Sequence, residues 1–586
     1  MSKISLTDRI NTYFNNADSL KYDGLSFSSD SLFIHSKKID KKLIVAENNI
    51  QGERLEKELN LLQKKDSDED IIFIPGTEEM PYDMVDSDKF LSSKKNLNLI
   101  RYIKSNSTKI TVITTAKNLQ KKLIPKKILE QETLRIKKND NLDLNTIKST
   151  LVKIGYINNP QVNFHGEFSI RGSIIDIFPG GYDEPIRIDL NDIEIETIKY
   201  FDTQTQITSK ESLSEEIFIV PMNNIILGQD NIINFRKKFR EIFEGNPSNN
   251  NIYSGVSNGL LPQGLNNYFP LLFNNTENLF NYFDTINNII IWENINNKIE
   301  ENYEIIKEKF NFSKENDDSV LDPNYIYLEN NLIHDEVYKK SVTEIISDKS
   351  LDKDSYNFNI SAVPDISIKP YLSEPINDLI LYINKLSCVV LFCQDSKKIT
   401  QFEDIFISNS LDYKIVESID DINLSSNKFY IINGYISESF KINDLGLSFI
   451  IGSDIIKEKI KLQKNKNNAK SAFFIDQLKN LEIGSPVVHE IHGIGRYNGL
   501  QYIDNGSVSN EYLTILYEDD DKLYVPVASL HLVNKYNTVE DEAAPLHKLG
   551  GFSWSKAKKK ATKNAYDIAA ELLEINAKRA LRKTLK

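Results

Sequence analysis

Short apolar runs alternate with longer polar stretches over roughly the first 127 residues. The apolar runs are LIVA, DIIFIP and KITVITT, and stretches such as GERLEKELNLLQ between them have the composition of surface helices. Apolar runs of this length, separated by helical segments, are typical of strands in a parallel sheet that is covered on both faces. Residues 1–127 are therefore predicted to form the first part of an α/β domain.

The pattern changes to a period of two between about residues 128 and 222. In PIRIDL and DIEIETI an isoleucine or leucine alternates with charged residues, and Gly, Pro and Asn-Asp pairs mark turns between the short runs. A period of two places apolar side chains on one face of a sheet and charged ones on the other. This segment predicts an antiparallel sheet module inserted into the α/β domain. Its charged face is predicted to carry Arg171, Arg187, Asp189, Glu194 and Glu196.

The remaining chain predicts one further α/β domain and one small all-β domain. Residues 223–335, which include the apolar run NIIIWENI, are expected to complete the first α/β domain, and residues 344–460 to form the second. A polar linker is expected at 461–479. Closely spaced strands at 480–547 predict a small barrel of the SH3 or Tudor type. Residues 548–586 are predicted to form one long amphipathic helix.

Composition and charge indicate a multidomain protein with a distinctive C-terminal end. The 586 residues suggest about four domains at roughly 150 residues each, and only two are cysteines, as is usual in a reducing compartment. No apolar stretch is long enough to span a membrane, so a cytoplasmic location is expected. The net charge is −13, yet residues 551–586 hold ten basic and three acidic side chains, leaving −20 for the rest. Lys558, Lys559 and Lys560 are accordingly candidates for DNA-phosphate contacts, or else for an ordinary solvated helix face.

The sequence offers no convincing catalytic, cofactor or metal site. A phosphate-binding loop needs a Gly-Lys pair, and none of the 23 glycines is followed by lysine. The turn AENNIQGE, placed where such a loop would lie, carries two glutamates that would repel a triphosphate. His489 and His492 lie three apart, whereas the helical zinc motif needs four. Cys388 and Cys393 are expected to pack as small buried hydrophobes.

Three groups of segments resemble the bacterial transcription-repair coupling factors. VVHEIHGIGRYNGL, EYLTILYEDDDKLYVPVASLHLVNKY and APLHKLGGFSW are similar to the RNA-polymerase-interacting module of that family and to the smaller CarD-like polymerase-binding domains. GEFSIRGSIIDIFPGG, PIRIDL and IKYFDTQTQ resemble the module that the family shares with the excision-repair protein UvrB, which docks on UvrA. IIFIPGTEEMPYD resembles a first-domain signature, with Thr77 in place of an expected tryptophan. The resemblance covers essentially the whole chain.

The resemblance implies an architecture and a division of labour. It implies a degenerate, UvrB-like α/β domain carrying the inserted module, a second α/β domain, a CarD-like barrel and a basic connector helix. In the family that helix leads into two motor domains, which hold ATP and magnesium and translocate on DNA. The sequence reaches only Lys586, so we expect no enzyme activity of this chain, DNA contact mainly through the motor, and a monomer.

The resemblance also assigns candidate contact residues. Arg171 and Arg187 match family positions implicated in UvrA docking. Asn191 stands where some members carry an aromatic contact. Ile503 occupies the position of an apolar residue that contacts the polymerase β subunit, and Arg496 is a further candidate there.

Each assignment has a structural alternative. The two arginines could instead neutralise Asp189, Glu194 and Glu196 on a solvated face, which would contribute little energy. Ile503 could belong to the barrel core, and Arg496 could serve the fold of its domain rather than binding.

The leading hypothesis is the recruitment half of a coupling factor, which joins stalled RNA polymerase to UvrA. An ATP-driven translocase is the alternative if the chain is part of a longer protein. A UvrB-like damage-loading protein would need a phosphate loop that the sequence lacks. A stand-alone CarD-like transcription regulator would leave the UvrB-like module unexplained.

Overall fold

The structure is a computed structural model whose described residues form two compact units, one up to residue 457 and one from residue 458. The predicted linker at 461–479 and nearly all of the predicted helix at 548–586, with Lys558, Lys559 and Lys560, lie outside the described residues. The description covers the whole chain except residues 1–4, 17–18, 64–67, 78, 84–87, 213–214, 317–318, 347–354, 370–373, 425–426, 457–482, 490–491, 505–508, 519–520, 527–532, 536–545, 549–553 and 555–586.

The first α/β domain begins with the strands that the apolar runs predict. β2, β3 and β4 are parallel neighbours; almost all side chains of β2 and β4 are buried between covering helices, and so are the last two of β3. The prediction of a parallel sheet is therefore confirmed. The elements of this part are α1 (Leu6–Asn15), β1 (Lys21–Asp23), α2 (Ser29–Ser36), β2 (Lys41–Ala46), α3 (Asn49–Leu62), β3 (Glu69–Phe73), α4 (Lys89–Lys104), β4 (Lys109–Thr115), α5 (Ala116–Gln120) and α6 (Lys126–Glu132).

The inserted module follows as a six-stranded sheet on a two-stranded stalk. The sheet order is β11-β10-β9-β8-β7-β6, antiparallel except between β6 and β7, while β5 and β12 pair only with each other and form the stalk. Its apolar face packs against α7, as the period of two predicts. The elements are β5 (Leu134–Lys137), α7 (Leu144–Lys153), β6 (Ile157–Asn158), β7 (Glu167–Arg171), β8 (Ile174–Ile177), β9 (Ile186–Asn191), β10 (Glu194–Phe201), β11 (Thr208–Ser212) and β12 (Glu216–Ile219).

After the module the chain returns to the first sheet, whose order is β15-β1-β14-β13-β2-β4-β3. The expected domain end at residue 335 is too early, because β14 and β15 also join this sheet. β14 is only partly buried, so it lacks the apolar run that would reveal it. The elements are α8 (Gln229–Ile242), α9 (Asn251–Ser257), α10 (Leu279–Tyr282), β13 (Asn288–Trp292), α11 (Ile295–Asn316), α12 (Pro323–Ile326), α13 (Asn330–Tyr338), β14 (Ser341–Ile345) and β15 (Tyr356–Asn357).

The second α/β domain has its own sheet, in the order β16-β20-β21-β17-β19-β18. β17 runs through SCVVLFC as the apolar run predicts, and it is parallel to both of its neighbours. The elements are β16 (Ile360–Ser361), α14 (Asn377–Asn384), β17 (Cys388–Cys393), α15 (Ser396–Ser408), β18 (Lys414–Val416), β19 (Phe429–Asn433), β20 (Phe440–Ile442), β21 (Leu447–Ile451) and α16 (Gly452–Ile455).

The two α/β domains are joined by a buried polar cluster as well as by a shared apolar core. Glu58 on α3 is fully buried and accepts hydrogen bonds from Ser28 Oγ at 2.8 Å and from the backbone N–H of Ser437 at 2.8 Å. Arg54 pairs with Glu58 at 3.0 Å and also with Asp30. Burial raises the pKa of Glu58, so the adjacent arginine is needed to keep its charge stable.

The second unit contains a five-stranded antiparallel sheet, here called the C-terminal β domain. Its order is β25-β24-β23-β22-β26, and its core includes Val487, Leu513, Ile515 and Val525. A small all-β domain in this part of the chain is thereby confirmed. The strands are β22 (Pro486–His489), β23 (Gly493–Asp504), β24 (Ser509–Leu516), β25 (Lys522–Pro526) and β26 (Val533–Lys535). Throughout the described ranges, no helix is long and apolar enough to cross a membrane.

Candidate protein-interaction sites

Three neighbouring strands of the inserted module bring two arginines to one buried carboxylate. The short turn at Gly172 sets the register of β7 and β8, so that Ser169 lies opposite Asp176. On the other side of β8, Asp176 lies opposite Arg187 of β9. Paired and alternate positions share a face of a sheet, so Arg171, Asp176 and Arg187 lie on the same face. We call these three residues the arginine cluster.

Asp176 is the centre of the arginine cluster, with a side chain that is 1% exposed. Arg187 Nε donates to its Oδ1 at 2.6 Å and Arg187 Nη2 to its Oδ2 at 3.0 Å, while Arg171 Nη2 donates to the same Oδ2. A buried carboxylate is costly unless it is paired and hydrogen-bonded. Here two guanidinium groups satisfy one carboxylate, which leaves the cluster with a net positive charge.

The two arginines of the cluster differ in exposure. The Arg187 side chain is 14% exposed, and its Nη1 donates to the carbonyl of Gln206 at 3.1 Å and to Thr208 Oγ1 at 2.9 Å. Its hydrogen bonds with Asp176 raise the pKa of Arg187 further. Arg171 leaves 52% of its side chain in solvent. Sequence reasoning placed both arginines on the polar face, which is confirmed, but it treated them as equivalent.

The carboxylate that balances these arginines is not one of those expected from the sequence. Asp189 accepts a hydrogen bond from Thr197 Oγ1 at 2.7 Å, and Glu194 and Glu196 are exposed on β10. The direct ion pairs of both arginines are with Asp176 instead, and Asp189 acts on Arg187 electrostatically without a hydrogen bond to it. Sequence reasoning missed Asp176. The two-residue turn between β7 and β8 was the signal that could have found it, since that turn fixes which residues face each other.

One further candidate of the module lies at its rim. Asn191, the residue in place of an aromatic contact, is exposed at the end of β9, where it pairs with Glu194. It lies in the turn to β10, next to Asp192, whose φ is +58°. Nothing in this position prevents a partner from reaching Asn191.

In the C-terminal β domain, the strand register locates Ile503 although its side chain is not described. Position 503 on β23 pairs with position 510 on β24. Leu513 and Ile515 of β24 belong to the core, and they are an odd number of residues from position 510. Because successive residues of a strand alternate between faces, the register places position 503 on the face opposite these core residues.

Arg496 is engaged within the C-terminal β domain. Its Nη1 donates to the carbonyl of Gly484 at 2.9 Å, and its backbone lies between Pro486 of β22 and Leu516 of β24. The hydrogen bond fastens the chain that enters β22 to the middle of the sheet. This contact accords with the structural alternative for Arg496.

The glycines beside Arg496 are needed for close packing. Gly493 has a φ of +87°, and a Cβ there would lie 3.0 Å from Cγ of both His547 and Trp554. The rings of His547 and Trp554 contact each other edge to face, with centroids 5.3 Å apart. A Cβ at Gly495 would lie 2.5 Å from Ile515 Cγ2. Both glycines therefore serve backbone geometry rather than a ligand.

The turn between β2 and α3, where a phosphate loop would lie, is filled by side chains. Asn48 caps α3 by accepting from the N–H of Gln51 at 2.9 Å, and Gln51 Oε1 accepts from the N–H of Glu47 at 2.7 Å. The Glu47 carboxylate is held by Lys298 and by Asn294 at 2.7 Å. A triphosphate would meet a carboxylate here, and the first-turn N–H groups that could bind it are partly occupied.

The histidine and cysteine pairs show no catalytic geometry. The rings of His489 and His492 lie 4.8 Å apart, and the N–H of His492 donates to His489 Nδ1 at 3.3 Å. Burial raises the pKa of the Cys388 and Cys393 thiols to about 12, which keeps both protonated and unreactive. Within the described part of the chain, no group of three or more potential metal ligands comes together.

Comparison with known proteins places these two sites in two domain families. The family model described as UvrB interaction domain matches residues 134–224, which include the stalk and the arginine cluster. The model described as CarD-like/TRCF RID domain matches residues 481–537, which include all five strands of the C-terminal β domain.

Similar full-length proteins carry one shared name. The chain is 32% identical to a "Transcription-repair-coupling factor" of Haemophilus influenzae and 29% identical to one of Escherichia coli, in each case over 88% of the chain and 45% of the relative. It is 27% identical to the protein of that name from Staphylococcus aureus, over 98% of the chain and 50% of the relative. The chain thus spans about half the length of the curated relatives that it matches.

Proposed function

The chain is related to the transcription-repair-coupling factors over the N-terminal half of their length, and on that premise we propose that it is an adaptor for transcription-coupled repair. In this proposal the inserted module binds UvrA, and the C-terminal β domain binds the β subunit of a stalled RNA polymerase. The two α/β domains act as the scaffold that carries the module.

The observation that carries the proposal is the arginine cluster on a module of the UvrB interaction family. Two arginines share one buried carboxylate, so the exposed Arg171 presents an excess positive charge on the sheet face. An acidic side chain of a partner can pair with such a charge, and complementary charges at an interface supply specificity and speed of association. UvrA is the partner that the family resemblance assigns to this face.

Polymerase binding is supported by the match of the C-terminal β domain to the CarD-like/TRCF RID family. The contact at Ile503 is the one that the family resemblance assigns, and position 503 lies in β23, paired with position 510 of β24. Among the described residues β25 and β26 are the end strands of this sheet. An end strand can pair with a partner strand through backbone hydrogen bonds, a common mode of peptide recognition.

The scaffold role of the α/β domains is supported by the occupied turn between β2 and α3. Glu47 takes the place where phosphate would need donors, and Lys298 is paired with that carboxylate. We expect neither ATP nor magnesium to bind this chain. Any translocation on DNA would then depend on parts of the family architecture outside this sequence.

A bridging experiment tests the proposal directly. Tagged RNA polymerase core is immobilised, and UvrA is added with and without the 586-residue chain. We expect UvrA to be retained only when the chain is present. An Arg171→Ala chain should bind polymerase but fail to retain UvrA, and an Ile503→Arg chain should bind UvrA but not polymerase. Failure of the wild-type chain to bind either protein would overturn the proposal.

A further inference from the structure

We propose that Asp176 is a positioning residue for partner binding: it holds Arg187 against the sheet and leaves Arg171 as the arginine that contacts the partner. The inference rests on the proposed binding of UvrA by this module. It adds a residue, and a division of roles between two arginines, to that proposal.

The hydrogen bonds of Arg187 show that it is occupied within the module. Of the five N–H donors of its guanidinium, Nε and one Nη2 donor go to Asp176, and the two Nη1 donors go to Gln206 and Thr208. Its guanidinium also lies over the ring of Phe201, 4.8 Å from the centroid. At most one donor is left, so Arg187 cannot offer a two-pronged contact to a partner carboxylate.

Arg171 is placed differently on the same carboxylate. Its Nη2 donates to Oδ2 of Asp176, and 52% of its side chain remains in solvent. Holding one edge of a guanidinium reduces the conformational entropy that a long side chain loses on binding. Asp176 therefore orients Arg171 before the partner arrives, while the positive charge of Arg171 stays available.

Asp176 also acts on a neighbouring turn through Arg187. The turn between β10 and β11 is held by Asp202, whose Oδ1 accepts from the N–H groups of Gln204 at 3.0 Å and Thr205 at 2.7 Å. Arg187 bonds to the end of this turn at Gln206 and Thr208. One buried carboxylate thus fixes, through two arginines, both the exposed cation and the turn on the same side of the sheet.

The partner chemistry follows from the charge count of the cluster. Two guanidinium charges face one carboxylate, and both oxygens of Asp176 already accept hydrogen bonds. The unbalanced positive charge lies on the exposed arginine. The matching group on the partner is a carboxylate, so we infer that Arg171 pairs with an acidic side chain of UvrA.

A double-mutant cycle on the full 586-residue chain tests this role. The dissociation constant for purified UvrA is measured for wild type, Asp176→Asn, Arg171→Ala and the double variant. We expect Asp176→Asn to weaken binding about tenfold, as the loss of a charge-assisted hydrogen bond predicts. In the Arg171→Ala background the same change should cost much less affinity, since the part of its effect that passes through Arg171 is already lost. A purely structural role would instead give additive losses.

Asp189→Asn is the matched control. It makes the same chemical change on the same face, at a carboxylate that bonds to Thr197 rather than to either arginine. We expect its affinity for UvrA to stay within about twofold of wild type. Polymerase binding, which uses the C-terminal β domain in this proposal, should be unchanged in every variant.

A second cycle covers the case in which Asp176→Asn unfolds the module. Arg187→Lys keeps a positive charge beside Asp176, but a single ammonium cannot span Asp176, Gln206 and Thr208 together. Its loss of UvrA affinity should likewise become smaller when Arg171 is alanine, since the two arginines share the carboxylate of Asp176. Unchanged affinity in Asp176→Asn, or additive losses in either cycle, would overturn the inference. If wild type itself did not bind UvrA, the proposed function would fail instead.

Discussion

Ile494 and His547 are joined by two hydrogen bonds in opposite directions. The N–H of Ile494 donates to His547 Nδ1 at 3.0 Å, and the N–H of His547 donates to the carbonyl of Ile494 at 3.0 Å. The match to the CarD-like/TRCF RID family ends at residue 537, so this pair ties a later segment to the start of β23. The C-terminal β domain therefore extends beyond the matched family range.

A Gly493→Ala variant should loosen this attachment. The added methyl group meets His547 and Trp554 at 3.0 Å, and the φ of +87° is unfavourable for any side chain. We expect a loss of about 2–3 kcal/mol in the stability of the domain. The measurement is denaturant unfolding followed by Trp554 fluorescence in a Trp292→Phe background, since the chain has two tryptophans.

Gly484→Ala is the control for that measurement. Gly484 has a similar φ of +95°, but a Cβ there would meet nothing within 4 Å. It therefore carries the backbone cost alone, about 1 kcal/mol. Equal losses at the two glycines would show that His547 and Trp554 do not pack on Gly493.

Arg171 and Arg187 should respond differently to substitution. Arg171→Ala is expected to weaken UvrA binding while leaving the unfolding free energy nearly unchanged, since half of that side chain is in solvent. Arg187→Ala removes the two-pronged partner of a buried carboxylate, and we expect a stability loss of about 3 kcal/mol. Urea unfolding and UvrA titration of each single variant are the measurements. Equal stability losses would contradict the roles assigned here.

Ile503→Arg should abolish polymerase binding without unfolding the C-terminal β domain. A charged side chain desolvated at the centre of an interface costs several kcal/mol, whereas the register of β23 and β24 puts position 503 out of phase with the core residues Leu513 and Ile515. Polymerase retention and thermal unfolding are measured on the same preparation. Ile483→Arg, at a position 74% exposed in the same domain, is the control and should still bind. Retention of polymerase by Ile503→Arg would reject the contact.

Because Lys95 is buried, we predict that the unfolding free energy of the chain depends on pH. Lys95 is fully buried on α4, and its Nζ has no hydrogen-bond partner among the residues that the structure describes. Burial, and secondarily Lys121, lowers the pKa of Lys95 from 10.5 to about 7. Below pH 7 both folded and unfolded chains carry the proton, so the cost of the buried charge is fully present. Between pH 7 and 10.5 only the unfolded chain stays protonated, and stability rises with pH.

Lys95→Met should therefore stabilise the chain most at low pH. We expect a gain of roughly 3–5 kcal/mol in unfolding free energy at pH 6, falling as the pH approaches 10. Lys94→Met, next to it in the sequence, is the control and should show no such trend. A gain for Lys95→Met that did not change with pH would mean that Lys95 keeps an ordinary pKa.

The chain should neither hydrolyse nor tightly bind ATP. The turn between β2 and α3 presents Glu47, and its N–H groups are partly satisfied by Asn48 and Gln51. ATP turnover is measured together with the shift in melting temperature at millimolar ATP and magnesium. A saturable shift that disappears when Lys298 is replaced would contradict this prediction and reveal a nucleotide site at that turn.

The sequence was sufficient to predict the strands whose side chains are largely buried. The apolar runs predicted β2, β4 and β17, because parallel strands covered on both faces need apolar residues throughout, and they also predicted β3, whose last two residues are buried. It was insufficient for β14 and for β1, which are short or partly buried and contribute to the sheet through backbone pairing. Such strands carry little side-chain signal, so the end of the first domain was placed too early.

The arginine cluster shows that prediction from the sequence is limited in the same way for a binding site. Alternation placed Arg171 and Arg187 on one face, but it did not say which acid lies between them. That depends on strand register, which a turn two residues long determines. Asp176 sits inside the apolar run SIIDIF, where its charge looked incidental, and only the pairing of β8 with both neighbours brings it between the two arginines.

The chain enters and leaves the inserted module through the paired strands β5 and β12, and Gly180 and Gly181 of the module also pack closely against α4. Leu134 pairs with Ile219 at the base of the stalk, and Arg135 binds Glu216 at 2.7 Å beside it. Because the chain enters and leaves at adjacent positions, the host sheet is interrupted without being displaced, and closing the insertion costs little extra entropy. A module inserted in this way can be carried by otherwise different proteins, so that each protein binds the same partner and keeps its own core.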